Sequence, residues 1–471
     1  MRNDARRGWR LNPVYLVASV LLIASTLRAP ITSVGPVIDR IGEATGLGSS
    51  ALGLLGTLPL VSFAVVSPFV SRLARRWGAE RVVLLALVVL VAATVLRSLS
   101  LGLGALWAGT LLIGAAIAVG NVLVPALVKR DFPAEIPLMT GAYTTVLGGF
   151  AAIASGLAVP ITVAYGWRVG IGCWALFGVL AVAAWAPRVV QGGGRVRRSK
   201  AGADPDGAAT DGSGLDGAEP YRAAPYRVAT ETVETEPVET EPVTPDAVGT
   251  GAAAGAVTDA GVAPHGSTAS PTPLWRSADA WWVTAFMACQ SMLFYVLVTW
   301  LPSIDVSYGA SAVTAGWHQF GFQTVGIVAG FAVTAFMRGR ADQRLVAATA
   351  SLGAIVGLVG LVLAPASALV WILIVGTSAG AAFVISMTLV AQRARTEHTA
   401  ARLSGMAQGV GYAVAAVGPL LAGVVFDRVG TWTPVVLGLA AVGCAQLLAA
   451  VFAGRAHHIG GPVPERSSVN A

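Results

Sequence analysis

The chain has 471 residues, 55% of them hydrophobic and only 12% charged, with a formal net charge of +7. Soluble domains carry about 25% charged residues, so one large soluble core is excluded. The arginines that make the balance positive cluster in short loops between apolar runs, the pattern of membrane topology and not of a nucleic-acid surface.

Runs of about 20 apolar residues predict transmembrane helices, and the short alternating segments of a barrel are absent. The basic start, with Arg2, Arg6, Arg7 and Arg10, precedes a run too long for a signal core, so it reads as an uncleaved first helix. Twelve spans are predicted, near 13–37, 52–71, 82–99, 105–128, 140–163, 167–185, 279–301, 314–337, 344–363, 368–391, 402–426 and 432–452. Loops carrying Arg72/Arg75/Arg76/Arg81, Lys129/Arg130, Arg188 to Lys200, Arg338/Arg340/Arg344 and Arg393/Arg395/Arg402 alternate with loops holding only Arg40, Arg97, Arg168 and Arg428. Positive loops stay in the cytoplasm. Both termini are therefore expected there, in a multi-pass protein of a bacterial cytoplasmic membrane.

Between the sixth and seventh spans the composition changes to Gly, Ala, Pro, Thr and Glu, with a tandem repeat at Val233–Pro237 and Val238–Pro242. Such a segment cannot build a core and predicts a disordered cytoplasmic linker. The expected organisation is an N-terminal six-helix half at 1–187, the linker at 188–274, a C-terminal six-helix half at 275–456 and a cytoplasmic tail at 457–471. The halves echo each other: Thr140-Gly141 opens the fifth span and Ser404-Gly405 the eleventh. Internal repeats of this kind place a substrate site between the halves, near the midplane.

Arg28 lies about 15 residues into the first run, ~22 Å deep at 1.5 Å per residue. An arginine there costs between ~3 and well over 10 kcal/mol if nothing stands against it. It cannot lose its proton. No Asp or Glu falls in the middle of any predicted span. Arg28 is therefore expected either to meet a negatively charged substrate or to cap carbonyls freed near Pro30.

Other polar groups inside spans are candidates for the same site. Asn121 sits at a proline kink, where packing between helices is the alternative. Gln290, Tyr295, Gln408 and Tyr412 lie deep, and Gln319 and Gln323 mark the eighth span. His318 is the only histidine in a span and a candidate for a coupling proton, against a neutral histidine bonded near the interface. Gly326–Gly330, Gly353–Gly357 and Gly376–Gly380 are packing steps. Gly376-Thr377-Ser378-Ala379-Gly380 matches the nucleophile-elbow pattern, but in an apolar helix without the strand–turn–helix context. Cys173, Cys289 and Cys444 show no disulfide framework or metal spacing, and neither metal nor cofactor is expected.

The segment Ser71-Arg72-Leu73-Ala74-Arg75-Arg76-Trp77-Gly78-Ala79-Glu80-Arg81 resembles the G-x-L-A-D-R-x-G-R-K loop of the major facilitator superfamily. It matches at Arg76 and Gly78 and departs at Ser71, Arg75, Ala79 and Glu80. Leu27 to Pro36, Gly120 to Pro125 with Lys129 to Pro133, Trp300-Leu301-Pro302, and Leu403 to Gln408 with Gly411-Tyr412 and Gly418-Pro419 resemble the cyanate/2-nitroimidazole (CynX/NimT) transporter family. The resemblance implies an all-α fold of twelve transmembrane helices in two pseudo-symmetric six-helix halves. It also implies secondary transport by alternating access, not an enzyme, with Arg76 and Gly78 in a gating loop.

On this reading Arg28 faces the substrate, with Asn121, Tyr143, Gln290, Tyr295, Gln408 and Tyr412 as hydrogen-bonding groups or walls. The expected substrate is a small anion such as cyanate or a related organic anion; export of drug-like or nitroimidazole compounds is the alternative. A membrane-embedded enzyme or a sensor is more distant. The expected partners are a small-molecule substrate and the lipid bilayer, with no nucleic acid, and the chain is expected to be a monomer.

Overall fold

The computed structural model describes residues 13–201, 274–457 and 459. In the first half α1 (Pro13–Thr26), α2 (Ala29–Thr32) and α3 (Ile38–Thr45) form one broken span. It is followed by α4 (Ser49–Trp77), α5 (Ala79–Ser98), α6 (Leu103–Asp131), α7 (Ile136–Tyr165), and α8 (Trp167–Gly172) with α9 (Ala175–Ala201). The second half holds α10 (Ala278–Ser307), α11 (Ala312–Met337), α12 (Arg344–Leu363), α13 (Ala368–Arg393), α14 (Glu397–Val429) and α15 (Thr433–Ala453). Among the described residues, 12 helical stretches are long and apolar enough to cross a membrane, as the apolar runs predict. Most of the linker and nearly all of the tail lie outside the described residues. The linker's first residues, from Arg188 to Ala201, continue α9 instead of leaving it.

The helices overrun the apolar runs at their ends. A helix propagates into polar sequence once nucleated, and hydropathy registers only its apolar part. Side-chain caps mark three of the true starts: Ser277 accepts from Ala280 N at 3.3 Å, Ser311 from Thr314 N at 3.1 Å, and Thr396 from Thr399 N at 3.1 Å. Prolines act by position. Pro30 and Pro36 break the first span, whereas α4, α6, α7 and α14 continue through Pro59, Pro68, Pro125, Pro160 and Pro419.

The turns carrying most of the arginines lie at one end of the bundle, the basic end. The halves meet chiefly through α4 against α14, α7 against α11, and α10 against the turn Gly35–Val37. At the end opposite the basic loops one apolar cluster crosses between the halves, joining Val37, Ile38 and Leu55 to Leu297, Ile304 and Trp432. Trp300 is fully buried there, its indole N–H bonded to Pro419 O at 2.9 Å and its ring 4.9 Å from that of Trp432. Although it stands at the end of the expected seventh span, it serves as a plug between the halves and not as an interfacial anchor. Toward the basic end one cluster is confined to the second half, and the other belongs to the first half apart from Tyr295, Ala415 and Ala416, which join it from the middles of α10 and α14. The bundle is thus closed at one end and parted at the other.

Polar contacts reinforce the closed end. Asp427 of α14 accepts from Ser49 N at 2.9 Å and Ser50 N at 2.7 Å, at the start of α4 where helix N–H groups are unpaired. Thr57 donates to Ala416 O at 2.7 Å, and Ser303 donates to Asp39 at 2.9 Å.

Candidate functional site

The break in the first span builds the site. Arg28 is the second of two residues, after Leu27, in the turn between α1 and α2, and its carbonyl accepts from Ile31 N and Thr32 N at 3.0 Å. The break is pinned to α7: Thr32 donates to Ala151 O at 3.0 Å and Ser155 donates to Thr32 O at 3.1 Å. The carbonyl of Pro30 is capped by a different arginine. Arg97, buried at the end of α5, donates to Pro30 O at 2.9 Å and to Ile171 O at 3.3 Å. The capping role that the sequence left open for Arg28 belongs to Arg97.

Arg28 is half-buried and forms no ion pair among the described residues. Its guanidinium stands 5.5 Å from the centre of the Phe294 ring. A cation over an aromatic face gains ~0.5–2 kcal/mol, less than the ~3 kcal/mol or more that an unpaired arginine costs at depth. The difference has to come from what occupies the cavity in front of it.

That cavity has a volume of about 490 Å³. Its wall comes from Arg28, the first part of α7, the middle of α10, the basic-end part of α11, the middle of α13, and Tyr412 of α14. It therefore lies between the halves, on the parted side. Among the described residues Arg28 is the only charged one in the wall. Phe294 meets Tyr295 edge-on at 5.2 Å, Tyr295 meets Tyr412 at 6.3 Å, and Tyr412 meets Phe63 at 6.0 Å, so the charge faces a chain of aromatic rings. Polar groups are few: Gln290 donates to Ser291 at 2.8 Å, and Gln323 donates to Ala151 O at 3.0 Å and to Ser155 at 2.6 Å.

Of the candidates named from the sequence, Arg28, Gln290, Tyr295 and Tyr412 stand in this wall. Asn121, Tyr143 and Gln408 do not. Gly120 packs on Leu27, and the next residue points about 100° away around the helix, which leaves Asn121 exposed. Tyr143 packs on the first-half cluster. Gln408 lies one turn toward the basic end from Tyr412 and bonds to Ser404 at 2.8 Å. Phe294, Ser291 and Gln323 belong to the wall and were not assigned to it from the sequence. Gln323 carried a signal, a polar group within a span. Phe294 carried none, because a phenylalanine in an apolar run looks like packing. The packing steps also contribute: Gly326, Gly330, Gly376 and Gly380 line the cavity where α11 and α13 approach.

His318 lies elsewhere, near the closed end, with Nδ1 2.7 Å from Asp305 Oδ2. Asp305 lies in the last turn of α10, so the reading that no Asp or Glu falls in the middle of a span stands, but the expected end of that span does not. The seventh span was expected to end at 301, but α10 runs to Ser307 and encloses Asp305, which is 1% exposed. The expected gating loop is reduced to Gly78 between α4 and α5: Arg76 lies in the last turn of α4, exposed and without an ion pair among the described residues. Gly78 takes φ 87, a conformation that a residue with a Cβ adopts only under strain. Glu80, at a position where the signature has lysine, instead pairs with Arg130; Arg130 bonds Asp131 at 2.8 Å and Asp131 pairs with Arg188. This network lies within the first half.

A family model described as Major Facilitator Superfamily matches residues 20–419. The 2-nitroimidazole transporter of Escherichia coli (strain K12) is 34% identical over 445 residues, 94% of this chain and 96% of that protein. The cyanate transport protein CynX of the same strain is 22% identical over 416 residues, 88% of this chain and 90% of that protein. Among solved structures, the D-xylose-proton symporter superposes with a TM-score of 0.66 at 11% identity, covering 95% of this chain and 98% of that one.

Proposed function

The chain belongs to the Major Facilitator Superfamily, and from that premise we propose that this multi-pass transporter carries a planar aromatic or heteroaromatic compound with an anionic or electron-rich edge. The observation that carries the reading is Arg28, the one charge in the cavity wall, held over Phe294 beside Tyr295 and Tyr412. A guanidinium fork suits a carboxylate-like or nitro-like edge, and the rings suit a flat apolar body.

Cavity size supports the larger of the two substrate classes. A space of about 490 Å³ is in the range of sites for drug-sized ligands and far exceeds a triatomic anion such as cyanate. The higher identity to the 2-nitroimidazole transporter than to the cyanate transport protein supports the same choice. In a thermal-shift assay of the purified protein, 2-nitroimidazole and small aromatic carboxylates should raise the melting temperature. Saturation at ~100 times Kd corresponds to ~2.7 kcal/mol of linked stability. Protection by cyanate, with none from the flat ring compounds, would reject this substrate class.

The basic end faces the cytoplasm in this reading, so the cavity is open inward and transport proceeds by closing that end while the other opens. Cysteines introduced at Arg75 or at Glu236, in a background lacking Cys173, Cys289 and Cys444, should resist impermeant thiol reagents in intact cells. Rapid labelling from outside would reverse the orientation.

A further inference from the structure

The closed end contains a pair that the cavity does not use. Asp305, in the last turn of α10, is 1% exposed, and the side chain of its partner His318 on α11 is 18% exposed. Asp305 is the only buried carboxylate among the described residues. Its second oxygen, the hydroxyl of Tyr308 and both ends of the fully buried Gln319 amide have no hydrogen-bond partner in the protein. The pair thus keeps one carboxylate oxygen without a partner in the protein, inside a seal. Two residues before Asp305, Ser303 bonds across the halves to Asp39 at 2.9 Å.

The charges on the surrounding elements do not neutralise it. The elements packed at this end of α10 and α11 bring Asp39, Arg40 and Glu43 on α3, Asp427 and Arg428 on α14, and Tyr165 at the end of α7. Asp39 is engaged by Ser303 and Asp427 by Ser49 and Ser50, while Arg40, Glu43, Arg428 and Tyr165 are exposed. His318 is the group in contact with Asp305.

We infer that Asp305 and His318 form a proton-binding site read by the closure of this end, which takes up one proton from the facing solution on closing and gives it back on opening. The inference rests on the alternating motion proposed above, but not on the substrate. In the closed end a carboxylate beside a neutral imidazole leaves one net negative charge in an apolar seal, and an uncompensated buried charge is strongly unfavourable. One proton makes the pair neutral overall, wherever it sits between the two groups. When the end opens, water solvates both groups, and an ordinary histidine is largely proton-free above about pH 6.5. Closing therefore binds a proton, and by linkage a lower pH favours the closed form, by up to about tenfold in the open-to-closed ratio per pH unit.

The test places spin labels on cysteines at Ala44 of α3 and Thr431 after α14, both exposed at this end, in the full-length protein in lipid nanodiscs without added substrate. Double electron–electron resonance between about pH 5.5 and about pH 8.5 should show a longer-distance population that grows with pH. That growth should vanish in Asp305→Asn, which leaves no buried carboxylate to neutralise, and should move to lower pH in His318→Gln, which keeps the carboxylate but loses the imidazole that shares the proton. A tether without proton binding would lower the melting temperature in both variants and leave the pH response unchanged. An unchanged distance distribution across pH in the parent protein, or a pH response in both variants equal to the parent's, overturns the assignment. Because no substrate enters the measurement, its failure is separate from failure of the aromatic-substrate reading.

Discussion

Arg28→Gln should weaken binding of the transported compound by ~2–4 kcal/mol, the loss expected when one partner of a desolvated charge contact is removed. In affinity that is roughly 30- to 1,000-fold. The magnitude follows from the isolation of Arg28. No carboxylate shares its surroundings, so a bound electron-rich edge is the counter-group it lacks, and glutamine offers neither charge nor fork. Arg28→Lys should recover little of the loss, since an ammonium cannot present two parallel donors. Stability should respond differently. Removing an unpaired cation relieves a cost, so the melting temperature of Arg28→Gln should not fall. Arg97→Gln should show the reverse signature, because Arg97 holds the carbonyls of Pro30 and Ile171 and its loss leaves them unpaired. Calorimetric titration beside detergent melting curves separates the two. Near-normal affinity in Arg28→Gln would assign Arg28 to structure.

The second large effect concerns the closed end. Gly53 of α4 faces α14 so closely that an added Cβ would lie 2.5 Å from Pro419 O and 2.9 Å from Leu420 Cα. Both neighbours are backbone, so no rotamer change relieves the clash. Gly53→Val should disfavour this contact by ~3 kcal/mol, the upper part of the usual overpacking range. That shifts the balance between the two forms more than 100-fold. Because the contact joins the halves and not the interior of either one, each half should fold normally while transport is lost. A cysteine at Thr57, buried in the closed end, should label slowly in the parent protein and rapidly in the Gly53→Val background. Slow labelling together with intact uptake would contradict this account of the closure.

The helices were legible because apolar runs of membrane length have few other meanings. Their ends were not, and the error mattered: Asp305 lies only four residues beyond the expected limit at 301, yet inside α10 and buried. Freed carbonyls near Pro30 were legible, but the break of the first span at Pro30 and Pro36 was not, because the run stays apolar through it. The division of labour between two arginines was not, because Arg97 looks like an ordinary span-end arginine until folding brings it beside Pro30. Arg28, Gln290, Tyr295 and Tyr412 stood out as polar groups in apolar runs, and the structure gathers them in one wall. Asn121, Tyr143 and Gln408 stood out equally and point elsewhere. A membrane helix that is apolar all round does not reveal which face looks inward, so a lone polar residue tells depth but not direction. Phe294 and the glycines of α11 and α13 were hidden for the opposite reason, since packing residues and wall residues have the same composition.

The central claim is that the cavity in front of Arg28 carries a flat, electron-rich ring compound from one side of the membrane to the other. Counterflow tests it most directly: labelled 2-nitroimidazole entering proteoliposomes preloaded with the unlabelled compound, for the parent protein and for Arg28→Gln. The account predicts saturable exchange by the parent and a half-saturation concentration at least about tenfold higher in the variant. Superimposable curves for the two proteins, or no exchange above protein-free liposomes while cyanate exchanges readily, would contradict it.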